Sequence, residues 1–377
     1  MNFKAETKVG IGVIGAGLIG AFHCSCLLTI IERTGLPVWL CHIADTDEDK
    51  AYRLKREFGF KKAGADPMAV IHDPEVSAVY ICTWTSEHLA LVREVAREGK
   101  HVFCEKPLAF TEAEARQMEH AVSEAGVINQ VGLVLRQGPV WNVLRDEIKT
   151  RRTGKPQALI FRDDQCFPIK GAHPSTWRKD RDKAGHGTLI EHSIHDLDLV
   201  EWMFGPLESV RAETRNTFGY EDIEDLARVD IEFCSGMTGV LVSVWHDVLQ
   251  RHSNRRLDVF FEQEFMAVES EYTGPLTIME GEGDLTTWEE EEVNKKYWDL
   301  QSIQEPVERE LSVMYGVYPA YLFCQSLLSG KPAGPGFAAA VRAHKLVDAC
   351  YLSARSGERV KIDADHEIKS KEKENVS

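Results

Sequence analysis

A histidine-rich stretch near the middle of the chain has residue types that suit acid–base chemistry. Glu191, His195 and Asp198 are spaced by four and three residues, so they share one face of a predicted helix. A carboxylate one turn before an imidazole can orient the ring and favour its protonated form, which suits a general base near neutral pH. His192 lies between them and is interpreted as a structural residue or a secondary substrate contact.

A metal site is the alternative interpretation of this stretch. His173, His186, His192 and His195 are close in sequence. The last two lack the HExxH register, and one helix face cannot aim all four side chains at one point. We therefore expect no metal ion here.

A glycine-rich turn near the N-terminus predicts phosphate binding. Gly15, Gly17 and Gly20 fit GxGxxG after an apolar strand, Val9–Ile14, and open a helical run. Gly15 would allow the tight turn, Gly17 the approach of backbone to a pyrophosphate, and Gly20 close packing of helix on strand. The helix N-terminus would face the negative charge. Together with the first helical residues, Leu18 and Ile19, this turn is the predicted dinucleotide site.

Asp45 indicates which dinucleotide binds. It ends the second apolar strand, 25 positions after Gly20, where an acidic residue contacts the adenosine ribose hydroxyls. A carboxylate there repels a 2′-phosphate, and no neighbouring Arg compensates, so NAD is favoured over NADP. The alternative is that Asp45 only caps the helix that starts near Glu48.

A second reactive group is the turn Glu105-Lys106-Pro107, which follows an apolar run ending at Cys104. Parallel sheets place ligands at the carboxyl ends of their strands, so Glu105 and Lys106 are predicted near the nicotinamide end of the dinucleotide. Pro107 restricts Lys106 and helps hold its ammonium in place. A surface ion pair on an ordinary loop is the alternative.

The elements that position these residues change character along the chain. Up to about residue 135, short apolar runs alternate with helical patterns, which predicts a doubly wound parallel sheet. Beyond residue 150, consecutive strand patterns predict a large, mainly antiparallel sheet, interrupted by one helix from about Thr188 to Met203. The predicted divisions are 1–135 for dinucleotide binding, 136–362 for substrate binding and oligomerisation, and 363–377 for a charged, poorly ordered tail.

Composition excludes several classes of function. The 377 residues carry 44 Lys and Arg against 60 Asp and Glu, a net charge of −16, which disfavours nucleic acid and anionic membranes as partners. No stretch approaches 18 uninterrupted apolar residues, so no membrane span is expected. Nine scattered cysteines without a CxxC pair predict reduced thiols and a cytoplasmic location. An acidic segment, residues 280–292, is predicted to be a solvated loop on the rim of the second sheet.

In this order and spacing the motifs resemble the Gfo/Idh/MocA family of NAD(P)-dependent oxidoreductases. The resemblance runs from Val9 to about Ile362 and rests on VGIGVIGAGLIG, TWTSEH (83–88), HVFCEKPLAF (101–110) and WRKDRDKAGHGTLIEHSIHDLDLVEWMFG (177–205). It implies an N-terminal Rossmann domain followed by a C-terminal α/β domain with an open antiparallel sheet. It also implies a homodimer or homotetramer formed through that sheet.

The resemblance also implies roles for individual residues. Thr83 and His88 would line the cofactor crevice, and Trp84 replaces a Pro common in the family, where it would cover the dinucleotide or simply pack. Many family dehydrogenases have an Asp-xxx-His pair with the motif lysine. His195 matches that histidine, while Glu191 stands in place of the Asp.

The implied activity is hydride transfer between a secondary alcohol of a sugar, sugar derivative or inositol-like polyol and the nicotinamide C4. His195 would take the hydroxyl proton, assisted by Glu191, and Lys106 would stabilise charge on the reacting oxygen. Candidate substrate contacts are Arg136, Trp177, Arg178 and His192. The alternatives are an NAD-dependent glycosidase of the same family using transient C3 oxidation, a dehydratase-like or epimerase-like redox cycle, and a non-catalytic NAD-binding protein.

Overall fold

The computed structural model describes residues 8–150, 154–170 and 175–362. The predicted tail at 363–377 and His173 lie outside these ranges. Two sheets organise the described chain, one of six strands and one of nine. This arrangement confirms the predicted fold class, a parallel doubly wound sheet followed by a large open sheet.

The first sheet is entirely parallel and has the strand order β3-β2-β1-β4-β5-β6. The chain builds outward from β1 in one direction and then returns to β4 on its other side. A crevice therefore opens at the carboxyl ends of β1 and β4, the position at which such sheets bind ligands. The strands are β1 (Val9–Ile14), β2 (Val38–Ala44), β3 (Lys62–Gly64), β4 (Ala78–Ile81), β5 (His101–Cys104) and β6 (Asn129–Val131).

Six helices accompany these strands, and their ends follow local sequence signals. The Thr111 hydroxyl caps α5 by accepting the backbone N–H of Glu114 at 3.3 Å, as the capping-box pattern predicts. The return half of that box differs, because the Glu114 carboxylate accepts the N–H of Phe110. The helices are α1 (Leu18–Thr34), α2 (Glu48–Phe58), α3 (Pro67–Ile71), α4 (Thr85–Arg97), α5 (Glu112–Glu124) and α6 (Pro139–Thr150).

The second sheet has the order β14-β13-β12-β11-β7-β10-β9-β8-β15. Neighbouring strands are antiparallel except for β7 and β10, which run parallel. The strands are β7 (Pro156–Cys166), β8 (Leu207–Arg215), β9 (Leu226–Phe233), β10 (Thr238–His246), β11 (Asn254–Phe261), β12 (Glu264–Glu269), β13 (Leu276–Glu280), β14 (Thr286–Trp288) and β15 (Val360–Lys361).

One prediction for this half is wrong, and another is only partly right. The helix predicted from Thr188 to Met203 is broken at His192-Ser193 into two helices. The acidic segment 280–292 contains an edge strand and the first turn of a helix, where Glu290–Glu292 are stabilised by the helix dipole. The helices are α7 (Arg181–Ala184), α8 (Thr188–Glu191), α9 (Ile194–Phe204), α10 (Glu290–Gln301), α11 (Pro306–Ser312), α12 (Val317–Ser329) and α13 (Phe337–Ser356).

The two sheets share one continuous hydrophobic core. The last helices return to the first half, where the Gln130 amide donates to the carbonyl of Pro319 and the N–H of Ala109 donates to His344. Because these contacts join residues on either side of residue 135, the domain boundary there remains a prediction. Among the described residues, no helix is long and apolar enough to cross a membrane.

Candidate functional site

The glycine-rich turn lies at the crevice between β1 and β4. Gly15 has a φ of +101°, and a Cβ there would lie 2.5 Å from the carbonyl oxygen of Cys82. A Cβ on Gly20 would lie 2.0 Å from the carbonyl oxygen of Gly15. Gly17 differs, because a Cβ added to it would meet no atom of the described chain within 4 Å. Two glycines permit close packing and the third leaves open space before α1, a shape that fits a pyrophosphate.

Asp45 lies beside this turn at the end of β2. Its carboxylate accepts the N–H of Ala16 at 2.6 Å and the N–H of Asp47 at 2.8 Å. The N-cap of α2 is Asp47, so the alternative that Asp45 merely caps this helix is wrong. The carboxylate is half-buried and holds the phosphate-binding turn against the second strand.

The end of β4 supplies Thr83 and Trp84 to the crevice. Thr83 is half-buried, and the Trp84 ring is 41% exposed at the N-cap of α4. The ammonium of Lys183, on α7, lies 4.7 Å from the centre of that ring. Trp84 thus joins the rim of the crevice to the segment that precedes the histidine helices.

His88 does not line the crevice as the resemblance implied. It is only 1% exposed, and its ring nitrogens face the backbone carbonyls of Thr83, Pro107 and Leu108 at 3.1–3.3 Å. Burial lowers its pKa. Its contacts with the carbonyls of Pro107 and Leu108 support the turn that follows β5.

Glu105 and Lys106 lie at the carboxyl end of β5, next to β4. One oxygen of Glu105 lies 2.6 Å from Nε2 of His23, and the other accepts the backbone N–H of Lys106 at 3.0 Å. The Lys106 ammonium donates to the backbone carbonyl of Glu191 at 2.5 Å and lies 3.4 Å from its carboxylate. The lysine therefore connects the crevice to the histidine helices.

Glu191 is held by cations rather than by the neighbouring imidazole. It is 3% exposed and accepts a hydrogen bond from Nε of Arg178 at 2.7 Å. Burial would raise its pKa, but the charges of Arg178 and Lys106 hold the pKa well below its usual range. The guanidinium of Arg178 lies 4.6 Å from the ring centre of half-buried Trp177.

The predicted arrangement of His195 is corrected by the break in the helix. Nδ1 of His195 is buried and has no hydrogen-bond partner within the described ranges, so Glu191 does not orient the ring through it. Burial, followed by the charges of Lys106 and Arg255, lowers the pKa of His195 well below its usual value. Burial therefore disfavours the protonated imidazole that the spacing predicted. The ring of His195 is close enough to Lys106 for the charge of the lysine to lower the pKa of the ring.

Arg136 is engaged by the third residue of the predicted helix face. Its guanidinium donates two hydrogen bonds, at 2.7 Å and 2.6 Å, to the buried carboxylate of Asp198. The fork-like geometry fixes both groups. Consequently, only the N–H groups of Arg136 that do not bind Asp198 are available to a substrate.

A buried charge network behind the histidines was missed by the sequence analysis. Arg255 of β11 donates to Asp196 at 2.7 Å, lies 2.8 Å from Nε2 of His192 and pairs with Glu271. Asp163 of β7 is its cross-strand neighbour and lies 3.1 Å from the same nitrogen. Burial and then Arg255 lower the pKa of His192 to about 3. Charged residues at inward positions of two strands were the available signal.

In the part of the chain that is described, one group has the spacing of a cation site: Cys41, Asp73 and Glu75. Cys41 belongs to β2, and the two carboxylates follow α3. The ammonium of Lys62 binds the Asp73 carboxylate at 2.9 Å and 3.0 Å. Lys62 therefore neutralises acidic charge at this group.

Comparisons with known proteins agree with this geometry. Residues 9–133 match the GFO_IDH_MocA model, described as oxidoreductase family, NAD-binding Rossmann fold. Residues 141–265 match the model of the GFO/IDH/MocA C-terminal domain.

Two curated relatives match about three fifths of the chain. A myo-inositol 2-dehydrogenase of Thermotoga maritima is 32% identical over 236 residues, which cover 61% of this chain and 67% of that protein. A scyllo-inositol 2-dehydrogenase (NAD(+)) of Bacillus subtilis is 34% identical over 241 residues, which cover 62% of this chain and 66% of that protein. The match thus leaves a third of each relative's length uncovered.

Solved structures show the same fold at lower identity. An oxidoreductase domain protein from Kribbella flavida has a TM-score of 0.82 at 22% identity, covering 95% of this chain and 100% of that one. A levoglucosan dehydrogenase in complex with NADH and levoglucosan has a TM-score of 0.80 at 20% identity, with the same coverage.

Proposed function

Because this chain belongs to the Gfo/Idh/MocA family of NAD-binding oxidoreductases, we propose that it oxidises a secondary alcohol of a sugar, sugar derivative or inositol-like polyol. The observation that carries the proposal is the contact between Lys106 and Glu191. We propose that this contact brings the ammonium and the neutral His195 into one site beside the crevice at the carboxyl ends of β1 and β4.

The residues of this site suit removal of a proton and a hydride from one carbon and its oxygen. NAD bound in the crevice supplies the hydride acceptor. His195 accepts the hydroxyl proton at Nε2, since its Nδ1 is buried. Lys106 donates a hydrogen bond to the same oxygen and stabilises the negative charge that develops there. Glu191 acts by holding Lys106 and Arg178 in place.

The cofactor contacts follow from the geometry of the turn. Gly15, Gly17, Leu18 and Ile19 would surround the pyrophosphate, and Asp45 would meet the adenosine ribose beside them. A carboxylate at the end of β2 disfavours a 2′-phosphate, which supports NAD over NADP. Thr83 would contact the dinucleotide at the end of β4.

The substrate class is supported by relatives and by the chemistry of the cleft. The relatives are named for inositols, 1,5-anhydro-D-fructose and levoglucosan, all compounds with several oxygen-bearing carbons. Arg178 stacked on Trp177 offers charged donors next to a flat ring, a combination that suits hydroxyl-rich molecules. His192 lies behind the same cleft, so its proposed role is secondary.

We also propose that a second copy of the chain covers the outer face of the nine-stranded sheet. Ile160 of β7 and Phe260 of β11 are 48% and 39% exposed on adjacent strands of this face. Exposed apolar side chains on adjacent strands of a sheet suit association with a second surface, and Asp258, opposite Ile160, adds a charge to the same face. Substitution of both residues by Lys should convert a dimer or tetramer to a monomer in light-scattering measurements.

Nine free thiols support a cytoplasmic location.

The activity is tested by following NAD reduction with a panel of inositols, monosaccharides, sugar acids and anhydrosugars. We expect NADH formation with at least one of them. Lys106→Met should lower kcat by about 100-fold or more, because a donor to the reacting oxygen is lost, while the Kd for NADH changes little. Lys61→Met, which removes an exposed lysine lying over Trp39, is the matched control and should retain wild-type kcat.

Two results would contradict this proposal. Absence of NADH formation across the whole panel would argue against a dehydrogenase. Release of a free aglycone from glycosides without net NADH would instead favour the eliminating, transient-oxidation activity.

A further inference from the structure

A buried histidine–carboxylate pair joins the cofactor-binding helix to the catalytic turn. His23 lies on α1, three residues after Gly20, and is 2% exposed. Its Nε2 lies 2.6 Å from Oε1 of Glu105, which is also buried. The pair spans 82 positions of sequence and connects two elements that the proposed chemistry requires to stay in register.

We propose that His23 is a positioning residue for Lys106: through Glu105 it fixes the distance between the phosphate-binding end of α1 and the lysine that meets the substrate oxygen. The inference rests on the proposed function. His23 itself touches neither cofactor nor substrate in this arrangement.

The contacts of Glu105 explain how the position of His23 reaches Lys106. One carboxylate oxygen is taken by His23, and the other accepts the backbone N–H of Lys106 at 3.0 Å. A Cβ at Gly132 would lie 2.8 Å from the second oxygen, so the glycine leaves the space that this carboxylate occupies. Both ends of the group are held, and the Lys106 backbone is therefore tied to α1.

The histidine is in turn fixed by aromatic packing. Its ring lies 4.8 Å from the ring of Phe103 and 5.6 Å from that of Tyr80, centre to centre. An ionised carboxylate only accepts hydrogen bonds, so Nε2 carries the donated proton. Nδ1 is buried without a partner among the residues described, which is consistent with this tautomer. The donor therefore points in one direction only.

Loss of the histidine should also change the ionisation of Glu105. Burial would raise the pKa of this carboxyl, while the hydrogen bond from His23, together with the charge of Lys106, holds it below its usual value. Without His23, Glu105 should bind a proton at higher pH. A protonated carboxyl holds the Lys106 backbone less well, so the acidic limb of the pH profile for kcat/KM should move upward.

Three variants separate positioning from general stability. His23→Leu removes the donor, and His23→Gln keeps an amide N–H near the position of Nε2. His42→Leu is the matched control, because His42 also forms a buried pair with a carboxylate, 3.0 Å from Asp73, but at β2, away from the turn. NADH affinity, kcat and the pH profile of kcat/KM are measured for each, with folding checked by circular dichroism.

We expect His23→Leu to lower kcat by about 100-fold, the size of effect that a misplacement near 1 Å produces. It should also shift the acidic limb upward and weaken NADH binding about tenfold, equivalent to the loss of one hydrogen bond to a charged group. His23→Gln should restore most of kcat, and His42→Leu should keep wild-type kcat and NADH affinity.

Wild-type kcat and an unshifted acidic limb in His23→Leu would overturn the inference. If that variant does not fold, His23→Asn replaces it, because its amide is too short to reach Glu105; equal kcat in the Asn and Gln variants is then the contrary result. An inactive wild type contradicts the proposed function alone. In that case the NADH titration tests the role of His23, and equal Kd values for His23→Leu and His42→Leu would overturn that role.

Discussion

The pair formed by Arg178 and Glu191 allows a quantitative test of the site. The carboxylate side chain is 5% exposed and the guanidinium side chain 23%, at a separation of 2.7 Å. Breaking a fully buried ion pair costs about 3–5 kcal/mol, whereas exposed pairs are worth about 0–1 kcal/mol. One partner here is buried and the other partly hydrated, so we expect a coupling free energy of about 2 kcal/mol, typical of a hydrogen bond to a charged group.

The coupling is measured with Arg178→Met, Glu191→Gln and the double variant. Urea unfolding at pH 7, followed by tryptophan fluorescence, gives the free energy of unfolding of each protein. We expect each single variant to be destabilised and the double variant to lose about 2 kcal/mol less than the sum of the single losses.

The pH dependence gives an independent check on the same carboxylate. Its pKa is lowered in the folded protein, so it stabilises the fold above its unfolded pKa, and this contribution is lost as the pH falls toward the folded pKa. The difference between wild type and Glu191→Gln should therefore shrink below about pH 4.5. A coupling under about 0.5 kcal/mol, within the additivity error of such cycles, would refute the reasoning, as would a difference independent of pH.

Three further predictions concern single residues. Burial lowers the pKa of His344 from 6.5 to about 3, so folding excludes a proton that the unfolded chain binds below pH 6.5. The wild type should therefore lose stability as the pH falls from 7.5 to 5. In urea titrations, His344→Gln should lose about 2 kcal/mol less than the wild type over this range. Asp45→Ala leaves the N–H of Ala16 without its acceptor and should raise the Kd for NADH about tenfold, whereas Asp47→Ala should not; equal fluorescence titrations would contradict this. His195→Asn should lower kcat about 100-fold or more, as loss of a general base does, with unchanged NADH affinity; retained turnover would exclude that role.

Much of the first half could be predicted because its signals are local. An apolar run between turn residues is enough to identify β1 or β4, and the spacing of Gly15, Gly17 and Gly20 specifies a turn and the start of α1. The direction of the parallel strands then places Lys106 at the same edge as that turn. Each of these inferences needs only neighbouring residues and the general rules of α/β sheets.

Parts of the second half could not be predicted, again because the available sequence signals are local. The strands β12–β14 are short, and β14 lies in an acidic segment whose charge favours a loop when considered alone. The helical period from Thr188 to Met203 continues across His192 and Ser193, so the sequence contains no signal for the break between α8 and α9. Backbone hydrogen bonding in the folded chain ends one helix and starts the other.

The sequence by itself determined the class of fold, the cofactor-binding turn and the presence of an ammonium, a carboxylate and an imidazole in one region. The tertiary structure alone decided their partners: Glu191 binds Arg178 and Lys106, and Glu105 binds His23. Such pairs join residues separated by 13 to 85 positions, so no local pattern specifies them. Because charges in a buried site take their pKa from whichever partners the fold brings near, the ionisation of His195 followed from packing rather than from its neighbour four residues earlier.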